Sequence, residues 1–402
     1  MATDKDSYML AFNAGSSSIK LTLFTVEDTP KRYAEAVVEN IGQSIAKFGI
    51  RDKEPQNSYT KSVTAPNHTA ATTILMDWLK QKIPSEAVHS IGHRIVHGGP
   101  KYFKPCVIND EVLADLRNLI WFDPEHLPAE VRLVESCAEL FPNTQQIACF
   151  DTAFHHALPN VARLLPIPRK YEARGLRRYG FHGLSCEYIM RELEGLAGSA
   201  AADGRIVIAH LGSGVSLTAV SQHKSVDTTM GLTPASGVPM STRSGDLDPG
   251  IFLFLARTEG LDPAGLNELF NTQSGLLGIS GSSSDMKQLL EHEARDPKAK
   301  EAVDLFCYQV KKSIGSLAAA LGGLDRLVFT GGMGEQAPLI RARICSGLEF
   351  LGIKLENSRN AGNYNLISSD TSPVVVHVIH TDEALTIAQN VRQLLKGHIH
   401  EN

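Results

Sequence analysis

The stretch YMLAFNAGSSSIKLTLFTV, Tyr8–Val26, decides the fold. A strand-like run, YMLAF, stops at Asn13-Ala14-Gly15 and resumes as IKLTLF, where Ile19, Leu21 and Leu23 alternate with Lys20 and Thr22 in the period-two pattern of a strand. Glycine, hydroxyls and a lysine directly after a strand suggest a phosphate loop. The spacing is not the GxxxxGK[ST] pattern, and no helical periodicity follows. The loop therefore sits inside a β-hairpin. RIVIAHLGSGVSLTAV, Arg205–Val220, repeats the device in the other half of the chain: strand, Gly212-Ser213-Gly214, strand. Each turn needs glycine, because a backbone that bends sharply and approaches a ligand cannot carry a Cβ. Turn amides converging on one concavity form an anion nest. Two such nests predict an α/β chain of two related domains facing a shared cleft.

A third glycine-rich segment follows a long helical pattern, AVDLFCYQVKKSIGSLAAALGG. Val303, Phe306, Val310, Ile314 and Leu317 fall on one face, and Gly322-Gly323 stops the helix. RLVFT then reads as a buried strand, and GGMGE, Gly331–Glu335, as the turn after it. TDEALTIAQNVRQLLKG reads as a terminal amphipathic helix with Thr381 as N-cap and Leu385, Ala388, Val391 and Leu395 as its apolar face.

The 402 residues suit two or three domains, at ~150 residues per domain. A hydrophobic content of 43% and charged content of 21% are those of a globular chain with a sizeable core. A net charge of −5 argues against nucleic acid or a membrane surface as partner, so any cationic site is local. No apolar run reaches membrane-helix length, and MATDKDSY does not read as a signal peptide. The six scattered cysteines, with no CxxC pair, predict reduced thiols and a cytoplasmic protein.

Taken together, NAGSSSIK, GHRIVHGGP, FDTAFH, RRYGFHG, PMSTRSGDLDPG, SGLLGISGSSSDM, FTGGMGE and TDEALTIA resemble the acetate kinase family, within the sugar-kinase/Hsp70/actin superfamily. The resemblance runs from Asn13 to Ala388. It implies two duplicated ribonuclease H-like domains of the actin-like ATPase fold around an interdomain cleft. Residues 1–150, completed by a C-terminal helix at 384–402, would form the first domain, and residues 151–383 the nucleotide-binding second. It also implies a phosphotransferase with a carboxyl acceptor, moving the γ-phosphoryl of ATP reversibly to acetate with Mg²⁺, or Mn²⁺ in its place. Family members are commonly homodimers, which is the expected assembly.

A carboxylate acceptor is already ionised at neutral pH, so no general base is needed. The difficulty is bringing one anion to another, which calls for cations, arginine above all because its planar fork stays charged. By resemblance, Arg94 and Arg243 bind the acceptor and the transferring phosphoryl group; each would otherwise read as a structural ion pair. His182 is expected to hydrogen-bond the phosphoryl group in the transition state, where a bland reading would make it a satisfied core histidine. Val96, Phe181, Pro234 and His126 match acceptor-pocket positions. Asp151, at the end of an apolar strand, stands where α/β proteins place catalytic carboxylates; it is expected to help hold magnesium and to position. Asn13 and Glu383 are the metal candidates, although an acid also suits a helix's first turn through the dipole. Ser16 and Ser18 accompany Asn13 in the hairpin. Lys20, His210, Gly212, Ser213, Gly214, Asp285, Met286, Lys287, Gly332, Met333, Gly334 and Glu335 are expected to hold the nucleotide.

The chain departs from the family at DPEHLP, commonly APLHNP, where Glu125 replaces an apolar residue that touches the acceptor's alkyl end and Leu127 replaces an asparagine. HGLSC, HLGSG and GEQA are further departures. Propionate or butyrate is the nearest alternative acceptor. A sugar or polyol kinase using Asp151 as base, or an ATPase switch of the Hsp70/actin type, is the more distant reading.

Overall fold

The computed structural model describes residues 7–15 and 17–399. The chain divides into two compact units, Met1–Ala153 with Asp382–Asn402, and Phe154–Thr381. Asp151 and Glu383, drawn with the second domain in the sequence reading, thus fall in unit 1. The reason is local: Asp151 N–H donates to Ile95 O (2.9 Å), extending the ladder of the preceding strand.

Unit 1 is built on β1 (Tyr8–Ala14), β2 (Ser18–Thr25), β3 (Arg32–Glu39), β4 (Ala46–Asp52), β5 (Tyr59–Val63), β6 (Val88–Ile95), β7 (Cys106–Val107) and β8 (Gln145–Phe150), in the order β5-β4-β3-β2-β1-β6-β8-β7. Unit 2 carries β9 (Ile206–Leu211), β10 (Val215–Ser221), β11 (Lys224–Thr228), β12 (Arg326–Thr330) and β13 (Val375–Val378), in the order β11-β10-β9-β12-β13. The run β3-β2-β1-β6-β8 matches the second sheet strand for strand. In both, the first two pairings are antiparallel and the next two parallel. The repeat seen in the two glycine hairpins thus extends to five strands of each sheet, with β4, β5 and β7 additional in unit 1.

The β1–β2 register places Asn13 opposite Lys20 and Phe12 opposite Leu21. Phe12, Ile19, Leu21 and Leu23 consequently face inward with Leu75 and Leu79 of the helix His68–Lys82. Each such burial contributes about 1.5–3 kcal/mol. In unit 2, Ile189 and Leu193 of the helix Gly183–Ala197 pack with Ile206, Ile208 and Val328. The helix Pro297–Leu321 buries Val303, Phe306, Val310, Ile314 and Leu317 and ends at Gly322, whose φ of 70° is the left-handed conformation glycine adopts at little cost.

The terminal helix, Glu383–Ile399, packs on β1 and β6. It closes on the sheet because residue 92 is glycine: a Cβ there would stand 2.4 Å from the Ile387 side chain and 2.7 Å from that of Val391. Two local expectations are corrected. Asp382, not Thr381, caps this helix, its Oδ1 accepting from Leu385 N–H (3.0 Å). Gly331–Gln336 is a short helix rather than a turn.

Candidate active site

In unit 1 the chemistry gathers where β1, β6 and β8 end. Arg94, the penultimate residue of β6, has its side chain 11% exposed. Its Nη2–H donates to Asp151 Oδ2 (2.8 Å), and Nη1–H to Ala14 O (3.0 Å) and more distantly to Glu130 Oε1 (3.4 Å). Burial alone would lower the guanidinium's pKa. The Asp151 carboxylate foremost, with Glu130 when ionised and Glu383, outweighs it and holds the group firmly protonated. Asn13 Nδ2–H donates to Glu383 Oε2 (2.6 Å), so the two metal candidates, from opposite ends of the chain, are in direct contact. Gly15 O is fixed by His68 Nε2 (2.8 Å), and Gly15 N–H donates to Ser18 O within the hairpin turn. Ser16 lies outside the described residues. Lys20 is exposed on β2, across from Asn13.

Val96 is buried, and its N–H donates to Glu130 Oε2 (2.9 Å). His126 is also buried; its Nδ1 and backbone N–H both bond Asp123 Oδ1, at 2.8 and 3.0 Å. Glu125 is exposed, which removes the cost a buried carboxylate would carry at the acceptor's alkyl end. Glu130 is the residue sequence reasoning missed. Its side chain is 1% exposed, and burial foremost pushes its pKa up to about 8, against the pull of Arg94.

In unit 2, Gly183–Ala197 begins at His182, whose φ of 58° is left-handed. The His182 and His210 rings stack with centroids 4.2 Å apart. Their Nδ1 atoms are oriented by hydroxyls: His182 Nδ1 by Ser216 Oγ (3.0 Å), His210 Nδ1 by Ser185 Oγ (2.9 Å). A Cβ on Gly214 would stand 3.2 Å from His182 Nε2 and 3.6 Å from Arg243 Nη1, so glycine lets the second hairpin loop lie against both. Arg243 Nη1–H donates to Pro234 O (3.2 Å). Phe181 and Pro234 are buried. Gly212 N–H donates to Gly214 O, as Gly15 does in the first loop, while Ser213 is exposed at the tip.

The helix Gly331–Gln336 abuts this loop. With φ at 77°, a Cβ on Gly331 would sit 2.9 Å from the Leu211 backbone. Glu335 is buried and accepts from Gly331 N–H (2.9 Å), Thr381 N–H (3.2 Å) and His380 Nδ1 (2.6 Å). It is thus an anchor of the segment, whose exposed members are Gly332 and Gln336. Gly334 O and Glu335 O are held by the fully buried Arg341. Asp285 caps the helix Met286–His292 through Lys287 N–H (2.7 Å); Met286 is buried, and Asp285 and Lys287 are exposed. A cavity of about 870 Å³ elsewhere in unit 2, bounded by Arg178, Thr228, Gln273 and Lys312, includes none of these residues.

No group of three or more histidine, cysteine or acidic side chains able to hold a metal occurs among the described residues. Magnesium does not require one, since it is commonly held by one or two carboxylates, phosphate oxygens and water. Glu383 and Asn13, with Asp151 beside Arg94, supply hard oxygen donors of that kind.

The description of the Acetokinase family matches residues 8–389. The chain is 42% identical over 395 residues to an acetate kinase of Rhodopseudomonas palustris, covering 97% of this chain and 98% of that one. Its structure matches that of a Porphyromonas gingivalis acetate kinase with a TM-score of 0.85 at 36% identity, covering 97% and 100% of the two chains. It matches a propionate kinase from Francisella tularensis at 0.87 and 35% identity, covering 96% and 98%.

Proposed function

The chain belongs to the acetokinase family, and from that premise we propose that it transfers the γ-phosphoryl group of ATP reversibly to acetate, giving acetyl phosphate and ADP. The observation that carries this reading is the ion pair of Asp151 with Arg94. A sugar or polyol acceptor needs a carboxylate poised to take a hydroxyl proton. Asp151 is instead engaged by a guanidinium, and a carboxylate acceptor needs no base.

Arg94 holds the acceptor carboxylate, and Val96, Phe181, Pro234 and His126 are assigned to acceptor binding. Arg243 and His182 stabilise charge on the phosphoryl oxygens as the bond to ADP lengthens. The segments Gly212–Gly214, Gly332–Glu335 and Asp285–Lys287, with His210 and Lys20, hold the nucleotide. Asn13 and Glu383, with Asp151 in support, would hold Mg²⁺, which supplies charge neutralisation at the phosphates. Propionate is the second reading, favoured by the likeness to a propionate kinase. One methylene changes binding by only ~1–3 kcal/mol, too little for the buried apolar residues to settle.

A homodimer in the cytoplasm completes the proposal. The helix Pro249–Thr258 buries none of its side chains within the chain, and Phe252, Leu253 and Phe254 are exposed along it. Such a face suits cover by a second copy. Among the described residues no helix is long and apolar enough to cross a membrane, and all six cysteines are unbridged.

The test is ADP release with ATP and Mg²⁺. Acetate should stimulate it and glycerol or glucose should not, and Arg94→Ala and Arg243→Ala should each lower it by about 10³-fold or more. Full activity in both variants would overturn the assignment.

A further inference from the structure

Glu130 is a carboxyl that the transfer reaction does not call for, buried against the arginine that it does. It belongs to the helix Leu127–Leu140 and joins two acceptor-pocket residues: Oε2 accepts from Val96 N–H (2.9 Å), while Oε1 faces Arg94 Nη1 (3.4 Å). Arg94 also bonds Asp151. With Glu130 ionised, one guanidinium faces two carboxylates, and an incoming acceptor anion would be a third. With Glu130 protonated, Arg94 keeps its bond to Asp151 and faces one negative charge fewer.

We infer that Glu130 is a positioning residue that couples acceptor binding to a proton: docking of a carboxylate on Arg94 draws one proton from solvent onto Glu130 Oε1. The buffer acid or hydronium loses that proton, the Oε1–H bond forms, and Oε1 ceases to accept from Arg94 Nη1–H, which turns to the acceptor. Oε2 keeps its bond to Val96 N–H, so the pocket wall stays in place. The inference rests on the assignment of Arg94 to the acceptor.

The groups that bear on Glu130 are Arg94 from β6, Asp151 after β8, and Asp123 ahead of its own helix. Asp123 is also the partner of His126, which starts that helix. Glu383 acts on Arg94 from the terminal helix. Burial already lifts the Glu130 pKa to about 8 in the free protein. Below that pH the proton is in place beforehand; above it, the proton must be taken up with the acceptor.

The acceptor KM of the wild-type protein at saturating ATP and Mg²⁺ should therefore be flat below about pH 8 and rise toward about tenfold per pH unit above it. Glu130→Gln, neutral throughout, should keep the low-pH KM at all these values, with kcat altered equally at every pH. A KM profile that is flat in the wild type, or rises equally in Glu130→Gln, overturns the inference. Should the variant not fold, infrared difference spectra of wild-type protein at pH 9 decide it. Adding acetate should produce the carbonyl band of a protonated buried carboxyl, and no such band with acetate bound overturns the inference. Absence of any carboxylate-dependent turnover would instead remove the Arg94 assignment, and this inference with it.

Discussion

His182 holds a left-handed backbone at the first turn of Gly183–Ala197, a conformation that costs a residue other than glycine of order 1–3 kcal/mol. Asparagine tolerates the same backbone but lacks the ring. His182→Asn should therefore melt within a few degrees of the wild type, while transfer falls by about 10²–10³-fold, the usual loss for one transition-state donor. Near-normal turnover would reduce His182 to a helix-start residue. Arg94, Asp151 and His182 could be proposed from sequence because each lies in a compact motif beside a strand or glycine turn. Glu130 could not, since an acid in a helix's first turn reads as a response to the dipole. The signal was its spacing: Glu130 lies on the stripe of Leu127, Val131 and Val134, all buried. The support of Gly15 by His68 had no local sign at all, because the pair is 53 residues apart.

The terminal helix depends on a glycine in a strand it does not adjoin in sequence. Gly92→Ala would drive a methyl into Ile387 and Val391 and should destabilise the protein by ~1–3 kcal/mol, read by denaturant unfolding. Unchanged stability would mean that the helix seats less closely on β6. The segment Gly331–Gln336 shows where sequence reading failed at this scale. Three glycines in six residues favour a turn on propensity. Tertiary bonds override that: Glu335 accepts from Gly331 N–H, and Arg341 takes the carbonyls of Gly334 and Glu335. Arg341→Met would leave both carbonyls short of a donor, at roughly 1–3 kcal/mol each. It should raise the KM for ATP well above any change in the acceptor KM, and an equal rise in both would contradict a role confined to the nucleotide segment. The strands β1, β2, β9, β10 and β12, in contrast, were readable, because alternation and glycine turns are local and the two hairpins repeat them.

Across the whole molecule, two buried histidines should cost stability as pH falls, offset in part by Glu130, whose raised pKa favours the folded state as pH falls below about 8. Burial lowers the pKa of His93 in unit 1 and His377 in unit 2 to about 4, from an ordinary 6.5. The unfolded chain binds protons first, so their contribution is present above pH 6.5 and is lost as pH falls toward about 4. The melting temperature should drop across that window, and His93→Gln should flatten part of the drop; an identical slope would exclude His93. Phe254→Glu should turn the proposed dimer into a monomer by sedimentation, since it places a charge on an otherwise uncovered apolar face. The central claim, that the phosphoryl group goes to a carboxylate, is tested most directly by trapping the product with hydroxylamine. With ATP and Mg²⁺, acetate or propionate should yield the hydroxamate of an acyl phosphate, and Arg94→Ala should not. Folded, ATP-binding protein that forms no hydroxamate with formate, acetate, propionate or butyrate would contradict the account.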